Sequence, residues 1–379
     1  MSFDLQLFSG KLLKCRANLQ MEAVEVCRNL GITALRLNAL EGGEVLPTGD
    51  EILMFSDFYK QDYQFFITNE YKTAIEQVQI LYRKHGTDFS KNDRWAVQEF
   101  LYLCECEQLA YELCDTPHDN FEPIITGNYF IGHGIDGAKR LRLHLGLQTN
   151  ALIKDPYTLF RKLGIHIFRR KLENSSISGL FIMHPKAGKC ILVNYNEDIF
   201  RQNFTVAHEV GHAIFDSGQE INVSFENWDK SDLKEKRANY FASNFLIPQE
   251  ELLKRSKISW NKDVLLNLAV QLRVNTQPLI IALKNAKLID DKKAQELFTY
   301  KLPVDHKIDP ELTGLSEKRY LVKKDLLERG LSNHYLVTCH KAYENGVISA
   351  QRLSEMLLVK EDELTALLSL YNLSLSYED

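Results

Sequence analysis

The sequence predicts a multidomain protein that is mainly α-helical around one small α+β core. Three short β-rich runs, at residues 165–169, 179–183 and 189–194, precede two helical patterns at 201–212 and 231–248. Helical patterns also fill most of the chain before residue 126 and after residue 250. A chain of 379 residues with 45% hydrophobic content is expected to form about two to four domains with ordinary buried cores.

The N-terminal segment, residues 1–68, has the spacing of a compact helical domain. Helical patterns at 10–16, 22–30, 33–41 and 50–59 are separated by turn residues such as Gly31 and Pro47. This cadence is similar to the Xre/Cro-type helix-turn-helix, whose second helix lies in the DNA major groove. The resemblance implies that duplex DNA is bound by that second helix and its N-cap, through Thr33, Ala34, Leu35, Arg36 and Asn38.

The charge of this segment leaves a second interpretation open. Residues 1–70 contain six basic and ten acidic side chains, a net charge of −4. DNA affinity depends largely on cations that neutralise phosphates, and an acidic domain supplies few of them. Docking of a protein, or dimerisation, is therefore the alternative role of residues 1–68.

Residues 69–126 are predicted to be a helical spacer. Two amphipathic helices, at 71–84 and 92–114, would separate the flanking domains or pair two copies of the chain as a homodimer. Cys104, Cys106, Cys114 and His118 could be taken for a metal site, but residues two apart on a helix point in different directions, so we expect structural cysteines. The predicted linker runs over 115–127 and includes the later Gly132 and Gly134.

The β-rich runs belong to a predicted α+β core over residues 127–250. A basic amphipathic helix at 137–145 and a second helix at 156–163, ended by Gly164, come before the first run. Turn residues around Pro185 separate the later runs. A small sheet followed at once by a helix is therefore expected, with an edge strand that could hold an extended peptide by main-chain hydrogen bonds.

His208-Glu209-Val210-Gly211-His212 is the most informative stretch of the chain. Residues four apart on an α-helix lie one above the other, so both imidazoles point the same way and could bind one metal ion. Glu209 could reach a water at an open coordination position and act as a general base, which is the zincin arrangement. The two histidines on an amphipathic helix could also be ordinary core residues.

The helical pattern at 231–248 is the expected source of a third ligand. Ser231 is a predicted N-cap, and Pro248 follows the predicted end. One face of this helix carries Glu235 together with small and apolar residues, and Asp232 on the same face is the rival ligand. Gly211 in the first helix removes a side chain where a second backbone is expected to pass close by.

The two helices together resemble the ImmA/IrrE metallopeptidases. The first reads Arg-Gln-Asn-Phe-Thr-Val-Ala-His-Glu-Val-Gly-His and ends at His212, and the second begins Glu-Lys-Arg-Ala-Asn-Tyr-Phe-Ala at Glu235. Residues 245–247, Phe-Leu-Ile, stand where the family commonly has Leu-Leu-Met. The resemblance spans about residues 137–248 and favours Glu235 over Asp232.

This resemblance implies a function. His208, His212 and Glu235 would bind Zn²⁺, with Mn²⁺ as the other candidate, and Glu209 would be the general base. The family consists of cytoplasmic regulatory proteases of bacteria or their mobile elements, which cleave a transcriptional repressor. The competing hypothesis is a non-catalytic DNA-binding regulator or antitoxin-like protein in which the metal is only structural. Structural zinc sites usually fill all four positions with Cys and His, so Glu209 favours catalysis.

The C-terminal third is predicted to be helical and carries no recognised motif. Residues 251–298 have a helix-turn-helix cadence and are expected to buttress the peptidase core. Residues 299–379 have a similar cadence, broken by Gly346 and capped at Ser349, and are predicted to bind a partner or sense a signal. We expect a regulatory ligand or single-stranded DNA to activate the protease through these flanking regions.

Whole-chain properties exclude several other classes. The net charge of −5 does not favour binding to nucleic acid or to an anionic membrane. Seven cysteines without framework spacing indicate a reducing cytoplasm. The first residues lack the basic flank and long apolar run of a signal peptide, and no segment has the eighteen or so apolar residues of a membrane span.

Overall fold

The fold was analysed in a computed structural model that describes residues 3–69, 74–216, 221–225 and 232–375. It begins with five helices around one small core, which includes Phe8, Leu37 and Phe55. Asp4, Thr33 and Thr48 each accept a backbone hydrogen bond at a helix start. These helices are α1 (Leu5–Asn18), α2 (Ala23–Leu30), α3 (Ala34–Glu41), α4 (Gly49–Tyr59) and α5 (Tyr63–Ile67).

Two further helices, α6 (Ala74–His85) and α7 (Lys91–Leu113), lead to the central part of the chain. The N-terminal bundle contacts the first turns of α7. Arg94 Nη1 donates to the Asn18 carbonyl at 2.9 Å, and the Trp95 ring meets Phe58 edge-on at 5.7 Å. The bundle is thus joined to α7 by a buried hydrogen bond and an aromatic contact.

A four-stranded mixed sheet forms the centre of the fold. Its strands are β1 (His166–Arg170), β2 (Ile177–His184), β3 (Gly188–Asn194) and β4 (Ile221–Phe225), in the order β1-β3-β2-β4. Strand β1 is parallel to β3, while β2 is antiparallel to both β3 and β4. The sequence predicted the first three strands but not β4, which forms one edge of the sheet.

One face of the sheet is covered by helices that flank and follow it. Ile167, Phe181 and Ile191 point into this layer, where they meet Val206, Val210 and Phe241 in one large core. The layer also includes the predicted buttress, which contributes buried residues such as Leu268 and Leu283 to the same core. Its helices are α8 (Phe130–His144), α9 (Pro156–Arg161), α10 (Ile199–Phe215), α11 (Leu233–Leu246), α12 (Gln249–Leu253), α13 (Lys262–Leu272), α14 (Thr276–Asn285) and α15 (Asp291–Leu297).

The opposite face is covered by α7 and by the last helices. Phe168 of β1 meets Phe100 of α7 and Tyr335 edge-on, with ring centroids 6.1 Å and 5.2 Å apart. After two short 3₁₀ turns, the helices here are α16 (Glu317–Glu328), α17 (Asn333–Glu344), α18 (Ala350–Met356), whose N-cap is Ser349 as predicted, and α19 (Glu361–Leu370).

This second layer includes two predicted regions. Residues 69–126, predicted to be a helical spacer, and residues 299–379, predicted to be a partner or sensing region, both contribute buried side chains to one core with the sheet. The physical reason is that β1 and β2 are buried on both faces, so a sheet of this kind needs a helical layer on each side.

Two local predictions also need correction. Gly132 and Gly134 lie inside α8 and not in a linker. A Cβ atom on Gly134 would lie 2.4 Å from the Arg237 carbonyl oxygen, so this glycine permits close packing of α8 on α11. Ser231, the predicted N-cap of α11, lies outside the described residues, and Asp232 caps that helix.

Among the described residues, no single helix is long and apolar enough to span a membrane. The pair α13 and α14, bent by 104° at the break between them, passes that test jointly, by length and composition alone.

Candidate metal centre

Helix α10 carries the two motif histidines. Asp198 accepts hydrogen bonds from the backbone N–H groups of Phe200 and Arg201 and so fixes the start of the helix. Ten residues later His208 begins the motif, and His212 follows one turn further on. Both imidazoles are buried, and their Nε2 atoms are 3.1 Å apart. The helical spacing thus brings both rings to one point, as predicted.

Helix α11 brings a carboxylate to the same point. Its small residues Ala238 and Ala242 are buried and allow α11 to lie close to α10. A Cβ atom on Gly211 would lie 3.1 Å from Ala238 Cα, which confirms the expected close passage of a second backbone. The Glu235 carboxylate oxygens consequently lie 3.3 Å from His208 Nε2 and 3.1 Å from His212 Nε2.

The spacing of these donor atoms can be compared with that of a zinc site. Ligand atoms about 2.0–2.2 Å from a tetrahedral metal ion are roughly 3.3 Å from one another. The three measured separations lie between 3.1 and 3.3 Å. Within the described part of the chain, His208, His212 and Glu235 are the one group of three such side chains that could hold a metal ion. Two imidazoles and a carboxylate are also a donor set that Zn²⁺ accepts.

Asp216 and Arg237 fix the orientation of His212. The Nδ1 atom of His212 lies 3.1 Å from Asp216 Oδ2, while Arg237 Nη2 donates to Asp216 Oδ1 at 2.5 Å. Burial alone would lower the pKa of His212, but the hydrogen bonds to Asp216 and Glu235 outweigh it and raise the pKa to about 9. With Nδ1 engaged in this way, Nε2 is the ring nitrogen directed at Glu235 and His208.

Glu209 is the second carboxylate of the centre, and its polar neighbours are His208, His212 and Ser224. Its side chain is fully buried, and neither carboxylate oxygen has a hydrogen-bond partner among the described residues. Burial raises the pKa of Glu209, although the neighbouring His208 and His212 oppose that shift. By contrast, the contacts with the two histidines outweigh burial and lower the pKa of Glu235. The two carboxylates are therefore placed in different electrostatic environments.

Gly179 of β2 makes room for Glu209. A Cβ atom at this position would lie 3.0 Å from Glu209 Oε1 and 2.9 Å from Thr205 Cγ2. The strand thus passes close to the carboxylate of α10 because this residue has no side chain. A glycine inside a strand is a sequence signal for such an approach, although our sequence analysis did not use it.

A cleft of about 660 Å³ opens beside the histidines and Glu235. One wall is the N-terminal half of α10, and another is the outer side of α11 from Glu235 to Ser243. Residues 275–285, around the start of α14, and residues 298–307 close the far side. The volume is in the range of pockets that enclose small ligands.

The rival ligand is excluded by its own contacts. Asp232 is exposed, and its side chain accepts hydrogen bonds from the backbone N–H groups of Lys234 and Glu235 at the start of α11. It therefore caps the helix and does not reach the histidines.

Asp216, Arg237 and Gly179 are the residues of the centre that sequence reasoning missed. Asp216 was visible in principle because it follows His212 by four residues on the same helix face.

The residues predicted to contact DNA lie on α3 and its N-cap. Thr33 Oγ1 accepts from the Arg36 backbone, and Thr33, Ala34, Leu35 and Asn38 are all exposed. Arg36 is held by Glu51 through two hydrogen bonds, Nε to Oε1 at 2.7 Å and Nη2 to Oε2 at 2.8 Å. The one cation among these five residues is therefore engaged within the bundle.

The cysteines of α7 are structural, as expected. Cys104 and Cys106 are both buried, and burial raises the pKa of each thiol. Neither belongs to the group of side chains that could hold a metal ion.

Part of the chain that carries this geometry is similar to a known family. Residues 160–284 match the model of the M78 peptidases, described as the IrrE N-terminal-like domain. This segment is similar to a metallopeptidase. It contains α10, α11 and most of the residues that line the cleft, and covers about a third of the chain, so the match supports a metal-dependent protease of the ImmA/IrrE type in that part. The comparison with curated proteins finds no match.

Proposed function

We propose that this protein is a zinc-dependent endopeptidase, for which Mn²⁺ could substitute, that cleaves a protein partner. The observation that carries the proposal is the near-tetrahedral spacing of His208, His212 and Glu235 beside the buried carboxylate of Glu209, whose oxygens have no hydrogen-bond partner in the described parts of the chain. The family match over residues 160–284 supports the coarser assignment to the metallopeptidases.

Each residue of the centre has a separate role in the proposed reaction. His208, His212 and Glu235 would hold the metal, which when bound polarises the scissile carbonyl and lowers the pKa of a bound water. Glu209 would take the proton of that water on a carboxylate oxygen and deliver it to the leaving amine nitrogen. Tyr240 borders the cleft and is our candidate donor to the developing oxyanion. The edge strand β4 would align the substrate backbone.

The proposed substrate is a transcriptional repressor, cleaved in a bacterial or mobile-element circuit for stress, phage response or defence. Residues 1–68 would tether the protease to promoter DNA or to the repressor itself. A regulatory ligand or single-stranded DNA would relieve weak basal activity, and two chains could act as a homodimer. Seven free cysteines support placing the protein in the reducing cytoplasm.

Co-expression with the repressor encoded beside its gene tests the proposal. We expect cleavage by the wild type and a loss of at least about 100-fold in Glu209→Gln, because that amide cannot accept the proton. Glu209→Gln should retain bound zinc, whereas Glu235→Gln should lose it. Retention of zinc by the wild type without cleavage of the repressor would favour the alternative, a DNA-binding or antitoxin-like regulator with a structural metal. Full activity without any added factor would contradict the proposed regulation.

A further inference from the structure

We propose that the cleft selects protein segments with a large apolar side chain and a carboxylate close to the scissile bond, and that Lys236 and Lys301 bind that carboxylate. The proposal deepens the proposed function, because it names a substrate class for the same site. It rests on the direction of the cleft, on its apolar lining, on its charge and on the way its far wall is held.

From the metal-binding group, the cleft extends toward the N-terminus of α10 and the C-terminus of α11. Phe204 precedes His208 by four residues on α10, and Asn239 follows Glu235 by four residues on α11. All four residues line the cleft, so its two helical walls run antiparallel. Four residues of helix rise about 6 Å, close to the span of two residues of an extended peptide. A bound segment therefore places neighbouring side chains against these walls.

The lining of the cleft contains apolar side chains that no other part of the described chain covers. Phe200 and Leu302 line it and are buried, whereas Ile281 is 44% exposed and Phe298 is 43% exposed. Large apolar side chains that remain exposed inside a concave site are typical of ligand contacts. A leucine, isoleucine or phenylalanine of the substrate would cover them.

The charge of the lining is positive. Among the described residues that line the cleft, Glu235 is the single carboxylate, and four lysine or arginine residues accompany it. Arg201 lies 3.3 Å from Glu197, and Lys307 lies 3.1 Å from Asp198, so these two cations are paired. Lys236 and Lys301 form no ion pair among the described residues. These two ammonium groups are therefore available to a carboxylate of the substrate.

The far wall is held in place before any substrate arrives. Asp198, which caps α10, accepts hydrogen bonds from Asn275 at 3.2 Å and from Lys307 at 3.1 Å. Thr276 Oγ1 donates to the Tyr300 carbonyl at 2.9 Å. The two segments that close the cleft are thus tied to α10 and to each other. A preformed wall lowers the cost of ordering the backbone that carries Lys301 when a substrate binds.

Binding of short labelled peptides to the full-length, zinc-loaded Glu209→Gln variant tests the proposal. Three fluorescein-labelled peptides share one sequence with a central Leu-Phe pair and differ at one neighbouring position, which is Glu, Gln or Lys. We expect fluorescence anisotropy to show the Glu peptide binding at least about fivefold more tightly than the Gln peptide, with the Lys peptide weakest. Replacing Leu-Phe by Ser-Ser should abolish binding.

Charge reversal identifies the two lysines. In the Glu209→Gln background, Lys236→Glu with Lys301→Glu should reverse the order of the three peptides. The control pair Lys257→Glu with Lys318→Glu changes the net charge equally at exposed positions outside the cleft and should leave the order unchanged. Equal binding of the three peptides, no binding of any of them, or the same reversal in the control pair would overturn the proposal.

The protease function and the binding preference can be refuted independently of each other. Because binding is measured on a variant without the general base, the preference for Glu does not depend on turnover. A wild-type protein that binds the Glu peptide selectively, yet cleaves neither it nor the repressor, would refute the protease and leave the binding preference standing.

Discussion

The carboxylate of Asp216 connects His212 to Arg237, with 3.1 Å between its Oδ2 and the imidazole Nδ1 and 2.5 Å between its Oδ1 and Arg237 Nη2. All three side chains are buried. A carboxylate in this position fixes the ring of a metal-binding histidine and increases its basicity. The metal affinity of the centre is therefore expected to depend on a residue that does not touch the ion.

We predict that Asp216→Asn weakens zinc binding by about 10–100-fold. The amide keeps much of the shape of the side chain but loses the charge that orients His212 and pairs with Arg237. Competition with a chromophoric chelator measures the affinity, and Glu209→Gln is the matched control because it removes a neighbouring charge without touching His212. Unchanged affinity in Asp216→Asn would show that the packing around His212 holds the ring without the charge of Asp216.

We predict that Gly179→Ala lowers kcat by about 10–100-fold while zinc content is retained, because a displacement of about 1 Å in a catalytic group can have this effect. The added Cβ would lie 3.0 Å from Glu209 Oε1 and would push the carboxylate out of place. Gly10→Ala is the control, since a Cβ there meets nothing within 4 Å. Steady-state kinetics and metal analysis on the same preparations measure both quantities. A normal kcat in Gly179→Ala would contradict the prediction.

We predict that His334 makes the free energy of unfolding depend on pH. Burial and the nearby Arg161 lower the pKa of this histidine from 6.5 to about 4. The unfolded chain then binds more protons between those two pH values, so stability is lost as the pH falls through that window. Urea unfolding at several pH values should show a weaker dependence in His334→Gln than in the wild type. The exposed control His306→Gln should resemble the wild type.

We predict that Glu51 limits the use of Arg36 in DNA binding. Its two hydrogen bonds with Arg36 lower the pKa of Glu51 to about 2, so the pair is charged at neutral pH. If the α3 surface binds DNA, Glu51→Gln should free the guanidinium and increase the affinity for duplex DNA. The slope of log affinity against log salt concentration should steepen by about one. Absence of DNA binding in both proteins would leave protein docking or dimerisation as the role of residues 1–68.

Much of the centre could be predicted from sequence because its signals are local. The spacing of His208 and His212, the position of Glu235 and the small residue at Gly211 all follow from helical periodicity within one or two elements. Thr33 and Ser349 were recognised as helix N-caps for the same reason. These features need no knowledge of what lies on the other side of a strand or helix.

The remaining features depend on contacts between distant parts of the chain. Strand β4 is short, and its pairing with β2 has no periodic signal of its own. Gly134 was interpreted as a linker residue because its close neighbour, the backbone of Arg237, is about a hundred residues away. The partners of Lys307 and Thr276 in the cleft wall, Asp198 and the Tyr300 carbonyl, could not be identified from the sequence for the same reason.

The position of Phe168 between α7 and α17 has a practical consequence for anyone who wishes to isolate the catalytic part. A fragment trimmed to residues 160–284 would strip one side of the sheet and leave Phe168, Leu180 and Leu192 facing water. Such a fragment should precipitate or bind hydrophobic dyes, whereas a chain that retains both flanks should stay monodisperse. Helix α7 and the last helices, which lie before and after the matched segment, are therefore needed to keep this face of the sheet buried.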